Sequence, residues 1–251
     1  MYKLTLKTLI LLVTVMWITG SSCSRVEEKT ESFTVRISDK PMTFCNPLNL
    51  VVGSEKARRG GEPVVVIYRD DYYLFVTGSR GYWYSANMRD WTYVAAPDFP
   101  GGVVSVASNG ETLYACSMNQ KNVYKCIGDP KEGKWEQAGT FDSDRYGDAN
   151  MFFDDDGRLY MYYGWSQIMP IKVVELDPDT FKEKGESKVC FFGDYKEHGF
   201  ERRRAEDVIF PYFNHREYFP EEYPWIEGPW ILKHNGKYYL QYAAIGLEFL
   251  S

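Results

Sequence analysis

From residue 62 onward, short apolar runs alternate with polar turns at a period of two. No stretch shows the i, i+3, i+4, i+7 spacing of an amphipathic helix. The first unit has an apolar run at 63–68, a turn at Arg69-Asp70-Asp71, an aromatic run at 72–76, and looser runs at 81–85 and 91–94. The second repeats that order at 103–107, 113–115, 122–126 and 135–138, and the third at 150–153, 159–163, 171–176 and near Lys182. A fourth begins at 229–232, turns at Asn235-Gly236 and continues through 238–242. Asn109-Gly110, Asp156-Gly157 and Asn235-Gly236 separate apolar runs in three of these units, and such dipeptides are the strongest short-range hairpin signal.

Four-strand units recurring at about 40 residues predict an all-β chain folded as a β-propeller. A β-sandwich is the competing architecture, but it does not account for the same strand, turn and aromatic-strand order in every unit. Between the third and fourth units runs an excursion from 186 to 223, rich in His, Arg, Glu and aromatics. Long connections on a rigid scaffold often carry function.

The N-terminus departs from this pattern. Lys3 and Lys7 precede an apolar run at 9–18 and then Gly20-Ser21-Ser22-Cys23. Ten apolar residues are too few to span a bilayer. The arrangement predicts a lipoprotein signal peptide at 1–22, a lipidated Cys23 leading a polar tether at 23–40, and a domain at 41–251. The expected location is the bacterial cell envelope, lipid-anchored to the outer membrane or secreted to the periplasm, with membrane contact only through the lipid.

Composition narrows the partners. With 44% hydrophobic and 25% charged residues the 251-residue chain has ordinary globular composition, while its 20 Tyr and 7 Trp exceed what packing alone usually requires. Flat aromatic faces with polar tips suit sugars. A net charge of −6 without a basic run argues against nucleic acid. No pair of Cys or His residues stands at zinc-ligand spacing. Cys116 and Cys126 fall in successive strands of one unit, where they either pair or stay reduced.

Three acids precede the first strand of a unit: Glu62 in Gly60-Gly61-Glu62-Pro63, Asp148 in Gly147-Asp148-Ala149-Asn150, and Glu227 in Glu227-Gly228-Pro229. In a propeller those positions converge on the mouth of the central channel. Carboxylates crowded there repel one another, and their pKa values separate into acid and base roles. Trp225 and Trp230 flank Glu227 and lower the dielectric around it. Trp83, Trp165 and Trp230 are candidate sugar-stacking surfaces, and His198, Glu201 and Arg202 of the excursion are candidate contacts to sugar hydroxyls.

Glu227-Gly228-Pro229-Trp230-Ile231 followed by Asn235-Gly236-Lys237-Tyr238-Tyr239-Leu240, with Asp148 six residues ahead of Asp154-Asp155-Asp156-Gly157, resembles glycoside hydrolase family 43. The resemblance covers roughly residues 40–251 and implies a five-bladed β-propeller. It further implies that Glu227 is the general acid, that Asp148 tunes and orients it, and that the acid opening the first blade, Glu62, is the general base. Its members cut arabinosyl, xylosyl or galactosyl linkages of plant polysaccharides with inversion, so an oligo- or polysaccharide substrate is expected. No cofactor and no catalytic metal is expected; a structural calcium in the channel is compatible with such a fold.

Glu62-Pro63 departs from the Asp-Pro usual in that family. One methylene moves the carboxylate by about 1 Å, a displacement that can cost ~100-fold in rate. About three and a half of five blades fit the sequence, which therefore reads as a truncated product or a fragment. The competing functional reading is a catalytically impaired carbohydrate-binding propeller or a non-functional fragment. The retaining β-fructosidase-like propellers are a poorer match, since neither their Asp-Pro-linked nucleophile nor their Glu-Cys pair is present. If Cys23 is lipidated, Cys23→Ala should move the expressed precursor from the membrane to the soluble fraction; partitioning unchanged by the substitution would rule the anchor out.

Overall fold

The computed structural model describes residues 50–52, 55–56, 61–102, 104–118, 120–144, 146–166, 170–204 and 222–244. The expected signal peptide, Cys23, the tether and Cys45 lie outside them. A short pair, β1 (Val51–Val52) and β2 (Glu55–Lys56), precedes three antiparallel four-stranded sheets. The first is β3 (Val64–Tyr68), β4 (Asp71–Phe75), β5 (Gly81–Ser85) and β6 (Thr92–Ala95), in that order across the sheet. The second is β7 (Val104–Ser108), β8 (Leu113–Ser117), β9 (Asn122–Cys126) and β10 (Trp135–Thr140). The third begins with β11 (Asn150–Phe153) and β12 (Leu159–Tyr163). After the short β13 (Trp165–Ser166) it resumes with β14 (Ile171–Leu176) and β15 (Lys188–Phe191). A hairpin of β16 (Arg202–Arg204) and β17 (Glu222–Pro224) follows, and then a three-stranded sheet in which β18 (Ile226–His234) lies between β13 and β19 (Lys237–Ala244).

The first strands of successive sheets stand side by side: β3 next to β7, β7 next to β11, β11 next to β18. That radial order, with each meander running outward from its first strand, is the β-propeller predicted from the repeat. The hairpin turns differ among themselves. Asn235-Gly236 is a two-residue turn with φ of 50° and 71°, and Arg69-Asp70 has the same left-handed pair at 49° and 67° without any glycine. Asn109-Gly110 and Asp156-Gly157 instead sit in longer loops, between Ser108 and Leu113 and between Phe153 and Leu159.

Two apolar clusters fill the spaces between sheets. Tyr73, Phe75, Tyr82, Phe99 and Trp135 form one between the first and second sheets. Its rings meet mostly at steep angles, such as 87° between Tyr82 and Trp135, the arrangement favoured by their quadrupoles. The other joins Cys116, Val123, Met151, Leu159, Met161 and Phe181 between the second and third sheets. Cys116 and Cys126 belong to different clusters and are both buried free thiols, so the pairing left open by the sequence is not formed.

One predicted strand is misplaced. The third unit's last strand was expected near Lys182, yet Glu183 makes only a single bridge to Leu176 and the strand is β15. Asp177 explains this, because its Oδ1 accepts from the backbone N–H groups of Asp179 and Thr180 and from the Thr180 hydroxyl. Such an Asx turn offers the backbone an alternative to the ladder.

Among the described residues the first strands of neighbouring sheets form no ladder with one another, so side chains join them. Ser105 Oγ of β7 accepts from Met151 N–H of β11 at 2.7 Å, and Asn150 Oδ1 of β11 accepts from Ile231 N–H of β18 at 2.9 Å. Farther out, Lys233 Nζ and Tyr238 OH both donate to Asp154, each at 2.6 Å. Removing the axial acceptor by Asn150→Ala leaves a buried N–H unpaired, which costs about 1–3 kcal/mol. Urea denaturation should show an unfolding free energy lower by that amount, and an unchanged value would mean that the sheets are joined by packing alone.

Candidate active site

Two residues ahead of each regular inner strand the chain passes through the left-handed region. The residues there are Glu62 (φ 50°), Gly102 (φ 95°), Asp148 (φ 47°) and Gly228 (φ 59°), ahead of Val64, Val104, Asn150 and Trp230. The conformation bends each strand into the channel mouth. Glycine adopts it freely, whereas an L-residue with a Cβ is strained by roughly 1–2 kcal/mol. Two of the four places are therefore filled by carboxylates at a backbone cost, and strain of this kind concentrates at functional sites.

Glu227 is set differently from the other two acids. It lies inside β18, one place before the left-handed Gly228, where the ladder between β18 and β19 shifts register between Glu227 and Trp230. Its structural counterparts are Gly61 and Gly147, whose carbonyls accept from the N–H groups of Thr77 and Gly164, just beyond β4 and β12. The equivalence expected for the three acids thus holds for Glu62 and Asp148, while Glu227 is one residue out of step.

All three acids nevertheless line one cleft of about 550 Å³, with Pro63, Val65, Pro229, Trp230, Gln241 and Tyr242 among its walls. Glu62 is exposed and its Oε2 accepts from Thr77 Oγ1 at 2.7 Å. Glu227 is half-buried, and its Oε2 accepts from the Trp225 indole N–H at 2.8 Å. Trp225 therefore does more than lower the dielectric, since it supplies a donor to the carboxylate. Burial, then the charges of Glu227 and Glu62, push the Asp148 carboxyl up to about 6, against the opposing pull of the Gly228 N–H that donates to it. The Asp148 carboxyl therefore gives up its proton closer to neutral pH than an ordinary aspartate does.

The remaining candidates divide. Trp230 lines the cleft as expected. Trp165 pairs with Glu227 across β13 and β18, which puts its backbone at the site; its side chain is outside the described set. Trp83 is corrected: only 1% exposed and packed on Tyr93 at 5.1 Å, it is a core residue that no sugar reaches. His198 and Arg202 are exposed but not among the residues lining the cleft, and they face Glu201 and Glu222. Glu201 is buried, where its carboxylate accepts from Asp194 N–H and Tyr242 OH. Gln241 and Tyr242 were not anticipated. A two-residue turn at Asn235-Gly236 pairs His234 with Lys237 and so, by counting back, Trp230 with Gln241.

Among the described residues no three His, Cys, Asp or Glu side chains are grouped to hold a metal ion. Glu62, Asp148 and Glu227 do not form such a group.

The model of glycosyl hydrolases family 43 matches residues 107–249, more than half of the sequence. The chain belongs to this family. The match includes Asp148 and Glu227 and begins after Glu62. A beta-D-galactofuranosidase of Aspergillus niger is 36% identical over 100 residues, an alignment taking in 39% of this chain and 20% of that protein. A crystal structure of a thermostable family-43 glycoside hydrolase superposes with a TM-score of 0.53 at 21% identity, covering 81% of this chain and 68% of the other. A bifunctional GH43-CE protein of Bacteroides eggerthii gives 0.51 at 20%, covering 72% and 24%. These two likenesses support the propeller fold.

The raised Asp148 value has a consequence for stability. A carboxyl that holds its proton more tightly folded than unfolded lowers stability as pH rises from its ordinary value near 4 through 6. Asp148→Asn should therefore melt at a higher temperature than the parent at pH 7–8. The gain should close as pH falls toward 4, and a difference independent of pH in thermal scans would contradict the assigned crowding.

Proposed function

We propose that this family 43 member hydrolyses glycosidic bonds of plant polysaccharides by single displacement with inversion. Glu62 removes a proton from water as it attacks the anomeric carbon, and Glu227 delivers a proton to the leaving oxygen. Asp148, which lines the same cleft, orients Glu227 and tunes its proton affinity through its charge. The observation that carries this reading is the gathering of three carboxylates on one sugar-sized cleft, two of them held in strained backbone. The charges of Glu227 and Glu62 raise the Asp148 carboxyl, so the three acids are electrostatically coupled, as a site that handles protons requires.

The assignment of inversion rests on the resemblance and on a general rule, that inverting pairs leave room for water at ~6.5–9.5 Å. Arabinosyl, xylosyl and galactosyl substrates are the proposed class, and the name of the Aspergillus relative adds β-D-galactofuranosyl groups to those worth assaying. Export as an envelope lipoprotein through Cys23 completes the proposal, placing the enzyme where polysaccharide fragments arrive.

Substitution separates the roles. Glu227→Gln should lose 100-fold or more on substrates with poor leaving groups, in keeping with the ~10²–10⁴-fold contribution of acid catalysis. It should keep much of its rate on activated aryl glycosides, whose leaving groups need no proton. Glu62→Gln should slow both kinds together. Equal losses on both kinds from Glu227→Gln would remove it as the acid, full activity in Glu62→Gln would place the base elsewhere, and NMR detection of a retained anomer would exclude inversion. No turnover by the parent chain on any of these sugars, together with retained binding, would favour a carbohydrate-binding propeller.

A further inference from the structure

Behind Glu227 lies a second layer of contacts that reaches into the excursion between the third and fourth sheets. Trp225 is 8% exposed and its indole N–H donates to Glu227 Oε2 at 2.8 Å. Two residues apart along an extended chain, the two side chains leave the backbone on the same side, as period-two geometry requires. Trp225 is fixed from two directions. Its backbone N–H donates to the Glu201 carbonyl at 2.8 Å, and the guanidinium of Arg203 lies 3.8 Å from the centroid of its ring. Arg203 is 1% exposed and stands opposite Tyr223 in the β16–β17 hairpin, so the cation is desolvated against the ring, where such stacking is strongest.

We infer that Trp225 is a positioning residue for the acid: its N–H holds one oxygen of Glu227, and Arg203 stacked on its face holds the indole. The inference rests on the role proposed for Glu227. A glutamate has one more rotatable bond than an aspartate and needs external contacts to point at a leaving oxygen. The rigid indole supplies one such contact, and the positive charge over its face polarises the N–H toward the carboxylate. Glu201 extends the same clamp to the cleft wall, because its buried carboxylate accepts from Tyr242 OH while its carbonyl holds Trp225. Through β16 and β17, the described part of the excursion therefore supports the acid from behind.

Trp225→Phe removes the donor and keeps a ring for Arg203 to stack on; Trp225→His restores a ring N–H. In the full chain, the Phe variant should lose roughly ten-fold in kcat on poor leaving groups, the scale of one hydrogen bond to a charged group. Its rate on activated aryl glycosides and its KM should be nearly unchanged. With a donor to the carboxylate gone, the high-pH limb of the rate profile should move upward, and the His variant should recover part of both effects. Thermal melting checks that the variant is folded. An independent reading is the indole ¹⁵N–¹H resonance of Trp225, identified by its loss in the Phe variant, which should move in Glu227→Gln. A folded Phe variant with the parent's leaving-group dependence and pH limb overturns the inference. So does an indole resonance indifferent to Glu227→Gln, whatever the catalytic outcome. Equal loss by Glu227→Gln on both substrate kinds, with the indole resonance still responding, would instead sink the acid role while leaving the clamp in place.

Discussion

The geometry of the channel mouth depends on one backbone constraint, the left-handed residue that turns each inner strand toward the axis. Where glycine fills it, at Gly102 and Gly228, the bend is nearly free. Where Glu62 and Asp148 fill it, the backbone carries roughly 1–2 kcal/mol of strain each. A surrounding structure that over-determines the bend keeps them there. The Gly61 and Gly147 carbonyls, tied to Thr77 and Gly164, are part of that determination. The acids are consequently delivered by main chain, and their side chains have little distance left to travel.

Held in this way, the sheets can tolerate a site that works against them. Burial and like charge raise the Asp148 carboxyl, an electrostatic load that the axial contacts of Ser105 and Asn150 and the aromatic cluster around Tyr82 and Trp135 must offset. The load and the chemistry have one origin. The like charge that raises the Asp148 carboxyl comes from the acids to which proton transfer is assigned in the proposed mechanism.

Much of this was legible in the sequence, for reasons that differ by element. The repeat of alternating runs and the Asn235-Gly236 turn read correctly because period and turn chemistry are local properties. The strand at Lys188–Phe191 was not legible, because the Asx turn at Asp177 diverts the chain where periodicity alone would continue it. Trp83 was misread because both faces of β5 are covered, and alternation does not say which tryptophan faces a cleft and which is packed away. The one-residue offset of Glu227 was hidden as well. Spacing ahead of a Pro or an apolar run cannot register a bulge, and φ decides where the bend falls. The indole contact to Glu227 could have been suspected, since i and i+2 share a face in extended chain.

The walls of the cleft carry a further implication in their charge balance. Glu62, Asp148 and Glu227 line it, and no lysine or arginine does among its described lining residues. A neutral sugar gains nothing from that imbalance, but a ring bearing a protonated nitrogen would be drawn in by Coulomb attraction inside a partly desolvated space. Its affinity would strengthen as Asp148 ionises near pH 6 and weaken again where the nitrogen loses its proton. The surplus negative charge of the cleft thus also favours cationic sugar mimics over neutral ones.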